Sequence, residues 1–404
     1  MRQTYQWHAP APSSVGRQEQ FFAVSSLRKA THKCFIFEAM SGDDLLYQIG
    51  VTLIKGVGAV NGKKLVAYCG SPEAVFKEGA AALSKIPGIG AAKVRLIRNQ
   101  KVLERAEAEI KFITKYNIQP LFYTDPAYPS RLLNCEDGPL MLYYKGEAQM
   151  NTARTVAIVG TRRATNYGKA KCEEILNDLK AKNILVVSGL AYGIDSCAHR
   201  RSLELGISTI GVLGHGLDRI YPAQNKKLAE RMLDQGGLLT EFMSGTNPDR
   251  ENFPKRNRIV AGMVDAVLVV ESDRKGGALI TAGIANSYNR DVFALPGRVG
   301  DDSSRGCHFL IKTNRAALIE NGNDLAYFMG WEDVEVEKKT QQELFVDLTA
   351  EEVLIMDTLR EHGELAIDQI TLKTKLSTSK VAASLLNLEF EGLVKSLPGK
   401  LYAL

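Results

Sequence analysis

Short apolar runs recur through the middle of the chain, and each is followed by a stretch whose apolar positions fall at helical spacing. The runs are Val156–Val159, Ile184–Val187, Thr209–Leu213, Leu238–Glu241, Ala266–Val270 and Val292–Leu295. They are rich in β-branched residues and do not alternate with polar ones, which predicts strands buried on both faces. The spacing between and after them predicts helices over 168–181, 195–205, 225–235, 255–262, 278–289 and 307–320. Strand and helix alternating through short turns predict a parallel, doubly wound sheet, hence an α/β fold. Ahead of it, 120–123 and 141–144 read as two more strands in a connector over 119–150, with Pro139 at a strand start, where a missing N–H is tolerated.

The flanks are patterned differently. Residues 1–39 show no sustained period and no capping signal. Regular spacing begins just after Met40, so the start of the folded chain is expected there, with the preceding segment an upstream misread or a disordered arm. Over 41–118, helical patterns surround two glycine hairpins, Ile54-Lys-Gly-Val-Gly58 and Ile86-Pro-Gly-Ile-Gly90. These resemble helix-hairpin-helix motifs, in which glycine lets backbone amides approach a DNA phosphate without reading sequence. Lys93, Arg95 and Arg98 follow the second hairpin and suit that role, which makes Gly88, Gly90 and Lys93 secondary DNA-binding candidates. A purely structural helical cap on the next domain fits the same pattern. After a polar linker over 333–347, Thr349 and Glu352 have capping-box spacing. Helical patterns then run to Leu359, over Ile367–Leu372 and from Ser377 to Glu391, ahead of a strand–turn–strand ending at Tyr402. That order, over 349–404, resembles a winged helix, with Ser377, Ser379 and Lys380 available to DNA backbone or the whole module to a protein.

Composition narrows the class only a little. At 404 residues, 45% hydrophobic and 24% charged, the chain is an ordinary globular protein with room for several domains. A net charge of +5 permits a polyanionic partner without requiring one. Six cysteines are scattered with no zinc spacing, which fits reduced thiols in a cytoplasm. No apolar run is long enough to cross a bilayer.

The candidate chemistry gathers at the carboxyl ends of the strands, where open α/β sheets hold their ligands. Gly160-Thr161-Arg162 follows the first strand, and the helix opened by Asn166, Tyr167 and Gly168 offers its N-terminus to a phosphate. Further glycine-rich exits follow at Ser188–Asp195 (with Gly189 and Gly193), Gly214–Pro222, Glu271–Thr281 (with Lys275, Gly276 and Gly277) and Pro296–Arg298. Together they predict a rim of peptide amides around one phosphate-bearing ligand. In Arg250–Arg258, four cations flank Phe253, which Pro254 is expected to leave just outside a helix; an aromatic among cations suits stacking on nucleic-acid bases. Asp195 and His199 lie one helical turn apart, as an acid–base pair would, but an N-cap aspartate beside a packed histidine accounts for both. No GxSxG, Walker A or HExxH motif is present, and the Gly160 turn lacks GxGxxG spacing, so no nicotinamide or flavin cofactor is expected.

The residues Gly160-Thr-Arg162, Ser188–Asp195 with His199, Tyr221-Pro, Phe253-Pro-Lys-Arg-Asn-Arg258 and Gly276–Thr281 closely resemble the DNA-processing protein A (DprA, or Smf) family, over about 41–404. The resemblance implies an extended Rossmann-like domain over 119–330 between a helix-hairpin-helix domain and a winged-helix domain. It further implies a cytoplasmic, non-enzymatic homodimer that binds single-stranded DNA and loads the RecA recombinase during natural transformation. By it, Arg162, Phe253, Lys255, Arg256 and Asn257 would line the DNA pocket, with Lys226 adding charge. Gly277 stands where many members carry serine, so a hydroxyl contact there is not expected. Rossmann-like relatives that hydrolyse nucleotides (phosphoribohydrolases) are the rival class; the paired PGGxGTxxE motif they use is missing.

Overall fold

The computed structural model describes residues 42–98, 101–331, 348–397 and 401–404. The expectations for 1–39 and for the 333–347 linker lie outside the described residues. The described residues fall into two compact units, divided between 331 and 348.

Among its described residues the first unit is built on nine strands: β1 (Gln119–Phe122), β2 (Met141–Gly146), β3 (Arg154–Val159), β4 (Ile184–Gly189), β5 (Ser208–Val212), β6 (Gly237–Thr240), β7 (Ala266–Val269), β8 (Asp291–Ala294) and β9 (Ala317–Leu318). Their order is β1-β2-β6-β5-β4-β3-β7-β8-β9. From β6 to β9 every pairing is parallel, while β1 and β2 add to the edge antiparallel. The chain winds from β3 to one side and then crosses to β7 on the other, so the topological switch lies between β3 and β7. The central strands are covered on both faces, with Val156, Ala157 and Ile158 fully buried. Each such valine or isoleucine contributes about 1.5–3 kcal/mol. The helix Asn252–Gly262 packs on the helix Gly277–Ser287, and Asn166–Leu179 packs on Ile194–Leu205.

One expected helix is replaced. Instead of a single helix over 307–320, the chain forms Arg305–Lys312, turns through Asn314 at φ +53°, and adds β9 to the sheet edge. Asparagine is among the few residues that take this left-handed conformation readily, and it ends the helix without glycine or proline.

Among the described residues, six helices between Gly42 and Lys115 precede the sheet, and each glycine hairpin joins two of them, with Gly56 and Gly88 at positive φ. Their apolar faces share a core with β1, β2 and the helix Lys226–Gln235. In the second unit, Ala350–His362, Ile367–Thr374 and Thr378–Phe390 pack around Ile355, Ile370, Leu385 and Leu388 beside a three-stranded sheet of β10 (Leu365–Ala366), β11 (Lys395–Leu397) and β12 (Leu401–Ala403). This is a winged helix, and its first helix begins with the expected capping box of Thr349 and Glu352. No helix among the described residues is long and apolar enough to cross a membrane.

Candidate functional site

The segments that leave β3, β4 and β5, together with the first turn of Asn252–Gly262, enclose a cleft at the carboxyl end of the parallel strands. Arg162, Tyr192, Tyr221, Phe253 and Arg256 line it, and the main chain from Val212 to His215 forms part of its wall. Phe253 is half-buried, not outside its helix as expected: the helix begins at Asn252, and Pro254 falls in the first turn, where it loses no helical hydrogen bond. One side of the Phe253 ring meets the Arg162 guanidinium at 5.4 Å, and the Tyr221 ring lies 6.1 Å away, centroid to centroid. Arg162, Tyr192 and Tyr221 are exposed to solvent at the mouth.

Backbone bonds fix the aromatic walls. Asn225 Nδ2 donates to Leu190 O at 2.9 Å, and the Tyr192 hydroxyl donates to Gln224 Oε1. Buried His215 donates from Nδ1 to Gly216 O at 2.9 Å and accepts the Tyr221 N–H on Nε2 at 3.2 Å, which pins the turn bearing Tyr221. Burial holds its pKa below the ordinary histidine value, consistent with a neutral ring in this role. Sequence reasoning singled out neither Tyr192 nor the positioning role of His215. Their signal is two tyrosines and a histidine inside the glycine-rich exits of β4 and β5.

The cations separate into two kinds. Arg256, expected to track a strand backbone, is only 6% exposed; it donates to Val212 O at 2.8 Å and lies beside buried Asp195 in the floor of the cleft. A methyl group at Gly189 would overlap both side chains, so glycine is what admits the buried pair. Arg258 is likewise structural: it bonds the Glu241 carboxylate and Asp137 O. Lys255 is exposed with Glu251 4.0 Å away, Lys226 is exposed at the start of its helix, and Asn257 is half-buried one turn beyond Phe253.

Two further expectations are corrected. Asp195 does not cap its helix: Gly193 is the N-cap, at φ +79°, and Asp195 sits in the first turn against Arg256. Burial raises the Asp195 carboxyl above its ordinary value, and Arg256 is the largest opposing influence. His199 is a packed histidine, fully buried, with Nε2 donating to Gly189 O at 2.6 Å. Nor is the N-terminus of Asn166–Leu179 open to a ligand phosphate. The Glu271 carboxylate occupies it, accepting Thr165 N–H at 2.9 Å and the Thr165 hydroxyl, while a methyl group at Gly168 would collide with the same carboxylate. Glu271 is buried, and its own carbonyl takes the Thr161 N–H at 2.8 Å, so Gly160 and Thr161 form a closed turn rather than an open amide cradle.

The glycine exits therefore do not all converge. Gly189 and Gly193 shape the cleft from beneath, Gly193 through its close approach to Thr161 and Arg162. Gly276 caps Gly277–Ser287 and packs on Ser272, while Gly277 is exposed; neither lines the cleft. On the N-terminal helices Gly88 and Gly90 are exposed, and Lys93 Nζ donates to Gly88 O at 2.8 Å.

Known proteins resemble this chain. Residues 119–330 match the family described as DNA recombination-mediator protein A, and residues 341–400 match the DprA winged helix domain. Protein Smf of Synechocystis is 34% identical over 90% of this chain and 99% of its own. Protein Smf of Escherichia coli is 34% identical over 70% of this chain and 77% of its own. The crystal structure of DNA processing protein A from Streptococcus pneumoniae aligns with a TM-score of 0.59 at 33% identity, covering 70% of this chain and 97% of that one.

Proposed function

The chain belongs to the DNA recombination-mediator protein A family, and from that premise we propose that it binds single-stranded DNA in the cleft at Phe253 and delivers the strand to a RecA-type recombinase. The observation that carries this reading is an aromatic ring at a cleft with a guanidinium 5.4 Å and a second aromatic ring 6.1 Å from its centroid. Unpaired bases present flat faces for Phe253, Tyr221 and Tyr192, and the exposed charges of Arg162, Lys255 and Lys226 suit the phosphates between them. A duplex hides those base faces by stacking, so single strands are preferred. Arg256, Asp195, Gly189 and Gly193 act beneath the surface, holding the floor on which the ring stands. Asn257, Gly276, Gly277 and the exposed hairpin at Gly88, Gly90 and Lys93 are contacts for neighbouring nucleotides of a longer strand.

The same reading places the protein in the cytoplasm, as a homodimer without cofactor or catalytic step, acting on DNA taken up in natural transformation. Nucleotide hydrolysis at the sheet's switch point is disfavoured because the Glu271 carboxylate stands where a phosphate would need to bind. Gel-shift titration with an unstructured oligothymidine, single-stranded and annealed to its complement, tests the proposal. Phe253→Ala should weaken single-strand binding by about 5- to 150-fold, the equivalent of one lost stacking interaction of about 1–3 kcal/mol. Arg162→Ala should weaken it further, and Phe253→Trp should restore most of the loss. Unchanged affinity in folded Phe253→Ala and Arg162→Ala proteins would end the assignment to this cleft.

A further inference from the structure

Residues 241–251 run from β6 to the helix Asn252–Gly262 without forming a helix or strand of their own. They decide where that helix starts, and its first turn carries Phe253. Such a segment has no ladder to hold it, so its position depends on the groups its backbone bonds. One side of it is tied to the N-terminal helices. Glu109, on the helix Lys101–Lys115, is 1% exposed; its carboxylate accepts the Ser244 N–H at 2.9 Å and the Ser244 hydroxyl. Arg105, one turn earlier, pairs with the same carboxylate at 2.8 Å and donates to Ser244 O at 2.7 Å. One helix thus holds Ser244 by its amide, its carbonyl and its side chain.

The other side is tied to the turn that carries Tyr221. Asp218 Oδ1 accepts the Gly245 N–H at 2.9 Å, Gly216 N–H donates to Thr246 O at 3.2 Å, and Arg219 bonds the Asn247 side chain. Asn247 O in turn accepts from Asn252 Nδ2 at 3.1 Å, which brings the run of bonds to the residue before Phe253. Two aromatic walls of the cleft therefore lean on one loop, and that loop is anchored at Glu109.

We propose that Glu109 is a positioning residue for strand binding. Through Ser244 it sets how the Phe253 and Tyr221 rings stand, so the N-terminal helices tune a cleft that they do not line. A role in stability alone does not call for a carboxylate. Burying one costs desolvation that an apolar side chain in the same seam would avoid. Apolar contact is already present there, since Leu213 and Leu217 of the β5 exit share a core with Ile113. What Glu109 adds is directed bonding to an amide and a hydroxyl at one fixed point of an irregular loop. With that point fixed, the rings are in place before a strand arrives, and binding does not have to order them. The proposal rests on the reading of this cleft as the strand site.

Anisotropy titration of a labelled oligothymidine with the full chain tests it. Glu109→Ala should weaken binding by about 2- to 12-fold, the cost of ordering a side chain that had been held in place. The salt dependence should stay as in wild type, because Glu109 meets no phosphate. In a Phe253→Ala background the same change should alter affinity by less than about twofold, as expected of residues that act through one another. Ser244→Ala, which deletes one partly buried hydroxyl, should act in the same direction more weakly, and Ser244→Thr, which keeps the hydroxyl, should bind as wild type. The inference is overturned if Glu109→Ala weakens binding equally with and without the Phe253 ring. It is overturned too if a folded Glu109→Ala protein melts earlier but binds as wild type, which is what a stability role alone predicts. Should Glu109→Ala not fold, wild-type affinity in Ser244→Ala has the same force. These results leave the cleft itself standing so long as Phe253→Ala weakens binding; unchanged binding by Phe253→Ala removes both.

Discussion

His199 shows how one buried side chain couples the floor of the cleft to pH. Its Nε2 donates to Gly189 O at 2.6 Å, and Nδ1 lies 2.7 Å from the Thr209 hydroxyl, so the ring bridges β4 and β5 in its neutral form. Burial is the main cause that lowers its pKa to about 4, and the nearby Arg256 charge pushes the same way. An unfolded histidine titrates near 6.5, so between about pH 6.5 and 4 the unfolded chain takes up a proton that the folded one refuses. Stability from this residue is therefore present above pH 6.5 and drains away as the pH falls. Between pH 7.5 and 5 the loss should be about 2 kcal/mol, at 1.36 kcal/mol for each pH unit below the unfolded pKa. Urea unfolding followed by tryptophan fluorescence at both pH values, for wild type and His199→Gln, measures it. The variant should be less stable at neutral pH yet lose about 2 kcal/mol less on acidification. Parallel curves for the two proteins would show that His199 does not refuse the proton.

At the scale of elements, the junction of β7 with the helix Asn166–Leu179 is the clearest device. An acidic side chain from the end of one strand supplies the anion that the helix N-terminus of its neighbour attracts. Glu271→Ala strands the Thr165 amide and removes that charge, so it should cost about 1–3 kcal/mol by differential scanning calorimetry. Glu271→Gln, which keeps one acceptor, should cost less. Sulfate, which can enter the vacated helix end, should stabilise the alanine variant more than the wild type; equal stabilisation of both would argue against the buried carboxylate's role. This junction also marks where sequence reading stops. The strands were legible because residues such as Val156, Ile158 and Val267 must be dry on both faces, and burial of that kind leaves a local pattern. Nothing local announces that Glu271 will stand against Thr165, 106 residues away in sequence. The same holds for Arg256 and Arg258: each is a cation beside an aromatic in the sequence, and only tertiary packing shows that both are spent on Val212, Glu241 and Asp137. Phe253 and Arg162 were legible separately, one as an aromatic among cations and the other at the carboxyl end of a strand, and the fold brings them to one cleft. Their mutual stacking, and the part played by Tyr192 and Tyr221, required the fold.

For the whole molecule, the division of cations into buried and exposed sets decides how binding responds to salt. Each Lys or Arg that neutralises a phosphate of a single strand releases counterion, and log K then falls with log salt by about 0.7 for each contact. Arg162 and Lys255 are exposed at the cleft or beside it, so Arg162→Gln and Lys255→Gln should each flatten the slope by about 0.7. Phe253 contributes by stacking, which releases no counterion, so Phe253→Ala should lower affinity at every salt concentration and leave the slope where it was. Arg258→Gln should do neither; its loss appears as instability, because it leaves the half-buried Glu241 carboxylate without its partner. Fluorescence anisotropy of a labelled oligothymidine across a salt series separates the three behaviours. A slope that changes with Phe253→Ala, or fails to change with Arg162→Gln, would mean that the strand does not run across this cleft with its bases on the ring and its phosphates at the guanidinium.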